Sequence, residues 1–247
     1  MIYTGYLQNN VTAPKIGDNL LVYRNEIKYY ISYTEYEILK KLLLEFCQKD
    51  AFMQNPDGYL IKSLYFDSVY DDDYWSKING ELNRKKIRIR IYNNDPSFVK
   101  FEIKNRFANY NLKESLVINK NEAVRIIDGD FDTLNKIDSA ISRKAATIMK
   151  KGLYSPKAVV QYEREAYTLP MFDIRITFDK NVCASNSSHL FFDDLPMIPV
   201  LESNEMILEV KYNHVLPQFL KSILSICDSS PTSISKYCFA REYLNNI

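Results

Sequence analysis

One stretch, RKKIRIRIY at positions 84 to 92, most constrains what this chain can fold into. Side chains of a β-strand point alternately to its two faces. One face of this strand therefore carries four cations, Arg84, Lys86, Arg88 and Arg90. The other face carries Lys85 and the isoleucines at 87, 89 and 91, which predicts that this face is buried. The charged face must then meet something that neutralises it.

The same alternation of charged and apolar residues recurs along the chain. Strands are predicted at 23–32, 59–68, 97–106, 111–120, 158–167, 171–182 and 206–213. Helical spacing of apolar residues predicts helices at 33–49, at 121–151 with a break at 128–130, and at about 215–226 and 235–245. Ser32 and Glu35 have the spacing of a capping box, which places the first helix start between them.

Two architectures explain the alternating strands. An open antiparallel sheet with one solvated face accounts for any single strand. A sheet closed around a channel accounts better for the whole set, because the charged faces are rich in Arg, Lys and Glu. They also recur across at least five strands, and the surrounding helices could not leave all of these faces exposed. We therefore predict an α+β fold, an antiparallel β tunnel barrel with helices packed outside. Residues 1–22 are predicted to be an N-terminal arm, and residues 23–247 a single domain.

A channel lined by cations predicts a phosphate-rich ligand. Facing like charges repel at low dielectric and persist only with a polyanion between them. Arginine and lysine are the usual partners of phosphate oxygens. Glutamates on the same faces are explained by Mg²⁺ or Mn²⁺, because these ions take carboxylate and phosphate oxygens together. The sequence contains no GxxxxGK[ST], GxGxxG or GxSxG pattern, which argues against the common nucleotide folds and against a serine hydrolase.

Bulk composition narrows the partners and the compartment. The chain has 32 basic and 31 acidic residues, a net charge of +1, so no nucleic acid is expected as a partner. Its four cysteines form no CxxC pair, which is typical of reduced thiols in the cytoplasm. No apolar run approaches the roughly 20 residues of a membrane span. The first residues lack the pattern of a secretion signal, and a cytoplasmic location is expected.

Eight short motifs, taken in order, resemble a known family. They are RNEIKYYI, SLYFDS, SKINGELNRKKIRIRIY, FVKFEIKNR, QYEREAY, DIRITFDKNV, LEVKYN and SKYCFAREY, spread over about residues 23 to 245. This series resembles the VTC domain, the polyphosphate polymerase module of the vacuolar transporter chaperone family within the triphosphate tunnel metalloenzyme superfamily. Each motif alone is weak, and the order of all eight carries the resemblance.

The resemblance implies an enzyme that transfers the γ-phosphate of ATP onto a growing polyphosphate chain with the help of Mn²⁺ or Mg²⁺. By motif, the residues expected to bind the reacting phosphates are Arg88, Arg90, Lys104, Arg164, Arg175 and Lys236. Lys28, Lys77 and Lys113 are expected to bind substrate, and strand parity adds Lys86 and Lys211. Glu209 matches the metal-binding glutamate of the family. Glu26 and Glu102 are the next metal candidates, because each lies two residues before an inward-facing lysine.

The sequence departs from the family and its relatives at two places. Ser233 stands where some members have a basic residue beside the terminal SK lysine. Position 24 is Arg, so the ExExK motif of the related cyclases and triphosphatases lacks its first glutamate. The fungal relatives also carry membrane helices, so this protein is expected to work either with a separate membrane partner or free in the cytosol. A triphosphate hydrolase and a module that only binds polyphosphate or triphosphate remain as alternatives to the polymerase.

Overall fold

A large antiparallel sheet forms the frame of the molecule. The computed structural model describes residues 15–16, 19–20, 25–108 and 110–245. Its strands are β1 (Lys15–Ile16), β2 (Asn19–Leu20), β3 (Asn25–Ser32), β4 (Gln48–Lys49), β5 (Tyr59–Asp67), β6 (Asn83–Tyr92), β7 (Asp95–Phe107), β8 (Tyr110–Ile118), β9 (Ser155–Leu169), β10 (Ile174–Ser185), β11 (Ile198–Pro199) and β12 (Glu205–Tyr212). Strands β1 and β2 pair only with each other and lie in the predicted N-terminal arm, most of which is outside the described residues.

The main sheet has the strand order β3-β12-β10-β9-β5-β6-β7-β8, and every pairing is antiparallel. Short strand β4 adds to β9, and β11 adds to β10. The β6–β7 hairpin turns at Asn93 and Asn94, whose φ angles are 51° and 55°. Asparagine tolerates this left-handed region better than most residues, which is why the chain can reverse here in two residues. All the predicted strands are present in the described residues.

The sheet curls into a tunnel without closing completely. Its outermost strands, β3 and β8, are not hydrogen-bonded to each other in the described part of the chain. Side chains of β3 and β7 approach each other past this gap, with Lys104 Nζ of β7 3.4 Å from a carboxylate oxygen of Glu26 of β3. The free edge of β3 is occupied by the segment before the last helix, because Thr232 N–H donates to the Lys28 carbonyl at 2.8 Å. The predicted α+β antiparallel tunnel fold is confirmed, and the open seam is its one difference from a closed barrel.

Seven helices flank the sheet in the described residues. They are α1 (Tyr33–Leu44), α2 (Asp72–Ile78), α3 (Lys120–Ile127), α4 (Asp132–Asn135), α5 (Ala140–Lys151), α6 (Gln218–Leu224) and α7 (Lys236–Asn245). The capping box at the start of α1 is confirmed, with Glu35 N–H donating to Ser32 Oγ and Ser32 N–H donating to Glu35. Helix α1 ends at Leu44, earlier than predicted, because residues 48–49 pair with β9. None of these helices is both long and apolar enough to cross a membrane.

The helices cover the two faces of the sheet unequally. Helices α3, α4 and α5 pack on the outer face of β5–β8 around Ile87, Ile89 and Ile91, as the alternation predicted. Helices α1 and α6 pack on the outer face of β3, β12, β10 and β9. Helix α7 is the exception to the predicted packing of helices outside the barrel: it packs on the concave face, where the Tyr237 and Tyr65 ring centres are 5.1 Å apart. Helix α7 thus fills one side of the curled sheet and leaves the charged side for the tunnel.

Candidate functional site

The tunnel consists of two adjoining cavities on the concave face. The larger, which we call the wide chamber, has a volume of about 920 Å³. The basic residues that line it are Arg88, Arg90, Lys100, Lys104, Lys113, Arg164, Arg175 and Lys211. The smaller, the narrow chamber, has a volume of about 250 Å³ and is lined by Lys28, Lys77, Arg84, Lys85, Lys86, Lys104 and Arg106 among its basic residues. Glu26 and Lys104 line both chambers, so the two cavities meet there.

Strand β6 brings Arg88 and Arg90 to the wide chamber with different partners. Arg88 donates from Nε to Glu102 at 2.6 Å and from Nη1 to the Tyr65 hydroxyl at 3.1 Å. Arg90 donates only to hydroxyls, to Ser63 at 2.9 Å and Tyr162 at 3.2 Å. No carboxylate within the described residues pairs with Arg90, although its side chain is buried. A buried guanidinium without an acidic partner is available to an anion.

Arg164 and Lys236 meet at a buried aspartate that the sequence analysis did not single out. Arg164 binds both carboxylate oxygens of Asp179, at 2.6 and 2.7 Å. Lys236 Nζ lies 2.5 Å from the same carboxylate and 4.8 Å from the centre of the Tyr162 ring. Burial opposes the charge of Arg164, but Asp179 outweighs it and holds the pKa of Arg164 well above its usual value. Parity with Arg175 on β10 was the sequence signal that could have identified Asp179.

Arg175 and Lys113 lie nearer the solvent at the wide chamber. Arg175 donates from Nε to Asp50 at 2.7 Å and from Nη2 to the Tyr59 hydroxyl at 3.2 Å. Lys113 pairs with the second oxygen of Glu102, whose first oxygen accepts from Arg88. Both predicted phosphate ligands therefore line the chamber, each oriented by an acid.

A mixed cluster occupies the region where the chambers meet. Lys28 lies 2.7 Å from Glu26 and 3.5 Å from Glu209, while Lys211 pairs with Glu209 and approaches Glu26 at 3.9 Å. Burial raises the pKa of Glu209, but Lys211 and Lys28 outweigh it and hold this pKa well below its ordinary value. Burial lowers the pKa of Lys211 and of Lys104. Burial and Glu209 raise the pKa of Glu26, but Lys28, Lys104 and Lys211 outweigh them and lower it, so both glutamates are ionised. The cluster thus sets three lysines against two glutamates.

In the narrow chamber, lysines are held by neutral oxygens. Lys77 donates to the Ser233 carbonyl and hydroxyl at 3.1 and 2.6 Å. Lys86 donates to the Ser235 hydroxyl at 2.8 Å, and burial, with little compensation from charges, lowers its pKa to about 8. Neither lysine has an ion-pair partner within the described parts of the chain. Ser233, where some family members have a cation, thus accepts from Lys77 instead.

Tyr65 is a further residue of the concave face, beside the tunnel, that sequence reasoning missed. Its side chain is 5% exposed and its hydroxyl accepts from Arg88. Burial raises the pKa of Tyr65, but Arg88, Arg90 and Lys86 outweigh burial and lower it to about 8. The alternation of β5 places Tyr65 on the same face as Ser63, and this could have indicated its position. The arginines that lower its pKa belong to the neighbouring strand.

The three glutamates predicted as metal ligands do not form one group. No cluster of three or more His, Cys, Asp or Glu side chains in the described residues could hold a metal. Glu26 and Glu209 share Lys28 and Lys211 as partners, whereas Glu102 is bound by Arg88 and Lys113. Mg²⁺ is commonly held by one or two carboxylates together with substrate phosphates. The pair Glu26 and Glu209 fits that mode, and Glu102 instead orients Arg88.

A curled antiparallel sheet with cations on its concave face defines the class of protein as a tunnel fold. The family model of the VTC domain matches residues 23–245, and the chain belongs to that family. A candidate adenylate cyclase of Bacillus halodurans is similar in structure, with 13% identity, a TM-score of 0.50, and 87% of this chain and 96% of that chain covered. The PH1819 protein of Pyrococcus horikoshii OT3 has 13% identity and a TM-score of 0.48, with coverage of 90% and 98%. No curated protein matched the chain.

Proposed function

We propose that this protein is a polyphosphate polymerase that transfers the γ-phosphate of ATP onto a polyphosphate chain held in the tunnel, with Mn²⁺ or Mg²⁺. The observation that carries the proposal is a set of tunnel cations without acidic partners in the described residues, the buried Arg90 in the wide chamber and the half-buried Lys86 in the narrow one. Membership of the VTC domain family supports the choice of a polyphosphate as the ligand.

The reaction needs the triphosphate of ATP and the end of the polyphosphate chain to lie in line. An oxygen of the terminal phosphate of the growing chain attacks the γ-phosphorus, the bond from that phosphorus to the β-γ bridging oxygen breaks, and ADP leaves with the electron pair. Catalysis of this step depends on positioning and on stabilisation of phosphate charge, with little covalent chemistry from the protein.

The chain's own residues can supply both effects. Arg88 and Arg90 are two positions apart on one strand face, about 6.6 Å, so they can hold neighbouring phosphates of ATP. Lys77 and Lys86 in the narrow chamber can hold the acceptor chain. A divalent metal would neutralise the charge of the phosphates, and Glu209 and Glu26 would hold it.

One assay separates the proposal from its alternatives. We would incubate the purified protein with ATP and Mn²⁺, and in parallel with Mg²⁺, and quantify ADP, free phosphate and long-chain polyphosphate. Polyphosphate with equivalent ADP supports the polymerase, whereas free phosphate without a chain identifies a hydrolase. Neither product, together with tight binding of tripolyphosphate, identifies a binding module. The Arg90→Ala variant is the control for a contaminating activity.

A further inference from the structure

The two chambers differ in the chemistry of their walls. The wide chamber is lined by four aromatic residues, Phe52, Tyr59, Tyr92 and Phe98. No aromatic residue lines the narrow chamber in the described parts of the chain, where lysines, arginines and small polar residues predominate. A bare polyphosphate has no apolar surface that could pack on aromatic rings. The wide chamber therefore fits a ligand that also has an apolar part.

We propose that an aromatic mouth, formed by Tyr59, Tyr92, Phe98 and Lys100, binds the base of a nucleoside triphosphate. The proposal rests on the proposed function for the triphosphate and adds a site for the base. It also gives the tunnel a direction, because the nucleoside end lies in the wide chamber and the γ-phosphate points towards the narrow chamber.

The order of residues along β6 carries the direction. Arg88, Arg90 and Tyr92 occupy successive inward positions, so two cations are followed by a ring. Successive inward positions are about 6.6 Å apart. A triphosphate bound by the two arginines therefore places its nucleoside at Tyr92 if it enters in this orientation. The reverse orientation would put the base among Lys86 and Arg84, where none of the described lining residues is aromatic.

Lys100, together with Arg90, lies at the boundary between the phosphate site and the base site. Lys100 on β7 lies opposite Arg90 in the strand register and lines the same chamber. Lys100 has no ion-pair partner within the described residues. Its Nζ lies 5.7 Å from the Tyr92 ring centre and 5.1 Å from that of Phe98. The ammonium can therefore reach the phosphate nearest the ribose while the two rings stand beside it.

The rings offer stacking faces with little hydrogen-bond readout. The Tyr59 and Tyr92 ring centres are 6.1 Å apart with an interplanar angle of 50°, and Phe98 is 43% exposed. Aromatic side chains stack on any base because every base has a π face. We therefore expect ATP and GTP to bind with similar affinity. Both should bind more tightly than tripolyphosphate, because the aromatic rings also stack on the base.

The test compares two ligands on matched variants. Calorimetric titration would measure the affinity of a nonhydrolysable ATP analogue and of tripolyphosphate, both with Mg²⁺, for wild type, Tyr92→Leu and Phe98→Leu. Leucine keeps an apolar side chain but removes the π face. We expect each variant to bind the ATP analogue at least about fivefold more weakly and to bind tripolyphosphate within about twofold of wild type. Tyr70→Leu, an exposed tyrosine outside both chambers, is the control.

The possible failures are distinguishable. If Phe98→Leu and Tyr92→Leu bind both ligands as wild type does, the aromatic mouth does not hold the base and the proposal is overturned. The same conclusion follows if both ligands lose affinity equally, because the rings would then support only the phosphate site. If wild type binds neither ligand, the proposed function fails with it. Phe98 is partly exposed, so its variant is expected to fold and keeps the test decisive even if Tyr92→Leu does not.

Discussion

Arg88 and Arg90 are neighbours on one face of β6 and yet differ in what they contact. Arg88 is bound by Glu102, whereas Arg90 has only hydroxyl partners among the described residues. Glu102 partly neutralises the charge of Arg88, whereas no carboxylate in the described residues pairs with Arg90. An incoming phosphate should therefore gain more from Arg90 than from Arg88.

Replacing Arg90 tests this difference. We expect Arg90→Ala to weaken tripolyphosphate binding at least about tenfold, roughly 1.4 kcal/mol, because a charge-assisted hydrogen bond is lost. Arg88→Ala should weaken binding less than Arg90→Ala does, and it should also lower the free energy of unfolding, because Glu102 loses its arginine. Calorimetric titration and urea unfolding would measure the two effects. Lys221→Ala, on the exposed side of α6, is the matched control, and equal affinities across all three variants would contradict a phosphate clamp.

Lys85, which shares its strand with these arginines, is a poorer control. Its ammonium lies 2.9 Å from the buried carboxylate of Asp73 and 5.6 Å from the centre of the Tyr154 ring. Burial raises the pKa of Asp73 to about 6 even with this partner. Lys85 lines the narrow chamber, but Asp73 neutralises its charge, so Lys85→Ala should leave tripolyphosphate affinity nearly unchanged. The substitution should lower stability, because the buried carboxylate of Asp73 loses its partner.

Glu209 should separate turnover from binding. We expect Glu209→Gln to abolish ATP turnover if the carboxylate holds the metal. Tripolyphosphate affinity should be kept or raised, because Lys211 and Lys28 lose the acid that neutralises them. ADP release at saturating Mn²⁺ and calorimetry measure the two effects, with the exposed Glu45→Gln as control. Full turnover by Glu209→Gln would remove this residue from the mechanism.

Lys86 predicts a pH dependence of anion binding. Its pKa is about 8, below the ordinary value of 10.5, because the side chain is buried. The free protein therefore loses this charge as the pH rises through about 8, and a bound anion favours the protonated form. Tripolyphosphate affinity should fall between about pH 7 and 9, and more in wild type than in Lys86→Met. Tyr65 and the ligand also titrate in this range, so the informative quantity is the difference in pH dependence between wild type and Lys86→Met. Parallel pH profiles of the two proteins would contradict the role of Lys86.

At the scale of elements, one carboxylate joins α2 and α7 to the sheet. Asp67, at the end of β5, is fully buried and accepts from the N–H groups of Asp73 and Tyr74 in the first turn of α2. It also accepts from the Tyr237 hydroxyl of α7 at 2.6 Å. These bonds explain why a helix starts in an acidic segment that the sequence analysis left without an assignment, since a carboxylate at a helix start satisfies free N–H groups.

Removing this carboxylate should destabilise the fold. Asp67→Ala leaves the two N–H groups and the Tyr237 hydroxyl buried without an acceptor. We expect the free energy of unfolding to fall by at least about 2 kcal/mol, because each unsatisfied buried group costs free energy. Urea unfolding measures this loss. Asp57→Ala, in the exposed turn before β5, should change stability little, and a similar change in both variants would show that Asp67 does not join the helices.

At the scale of the whole molecule, the tunnel concentrates positive charge in a nearly neutral chain. Ligand that binds the folded state alone at 100 times its dissociation constant stabilises a protein by about 2.7 kcal/mol. For a chain of this size we expect tripolyphosphate to raise the unfolding temperature by roughly 5–10 °C. Thermal denaturation would measure the rise, which should shrink with added NaCl and in Arg90→Ala. An equal rise from sulfate at the same ionic strength would indicate general anion binding instead.

Faces, caps and breaks could be predicted from the sequence because they depend on neighbouring residues. Alternation in β6 correctly separated the isoleucines, which are at most 1% exposed, from the cations of the tunnel. The capping box of α1 and the helix break at Gly129, whose φ is 91°, are equally local. Eight ordered motifs were also enough to indicate the family.

Partners across the tunnel could be decided only by the tertiary structure. Which acid meets Arg164, whether Glu102 joins the other glutamates, and which oxygens hold Lys77 depend on segments far apart in sequence. The same holds for α7, whose apolar residues could pack on either face of a sheet and take the concave one. Strand parity states which face a side chain occupies, because it repeats every two residues. Strand register and sheet curvature determine which side chains that face contacts, and both arise only when distant strands pair.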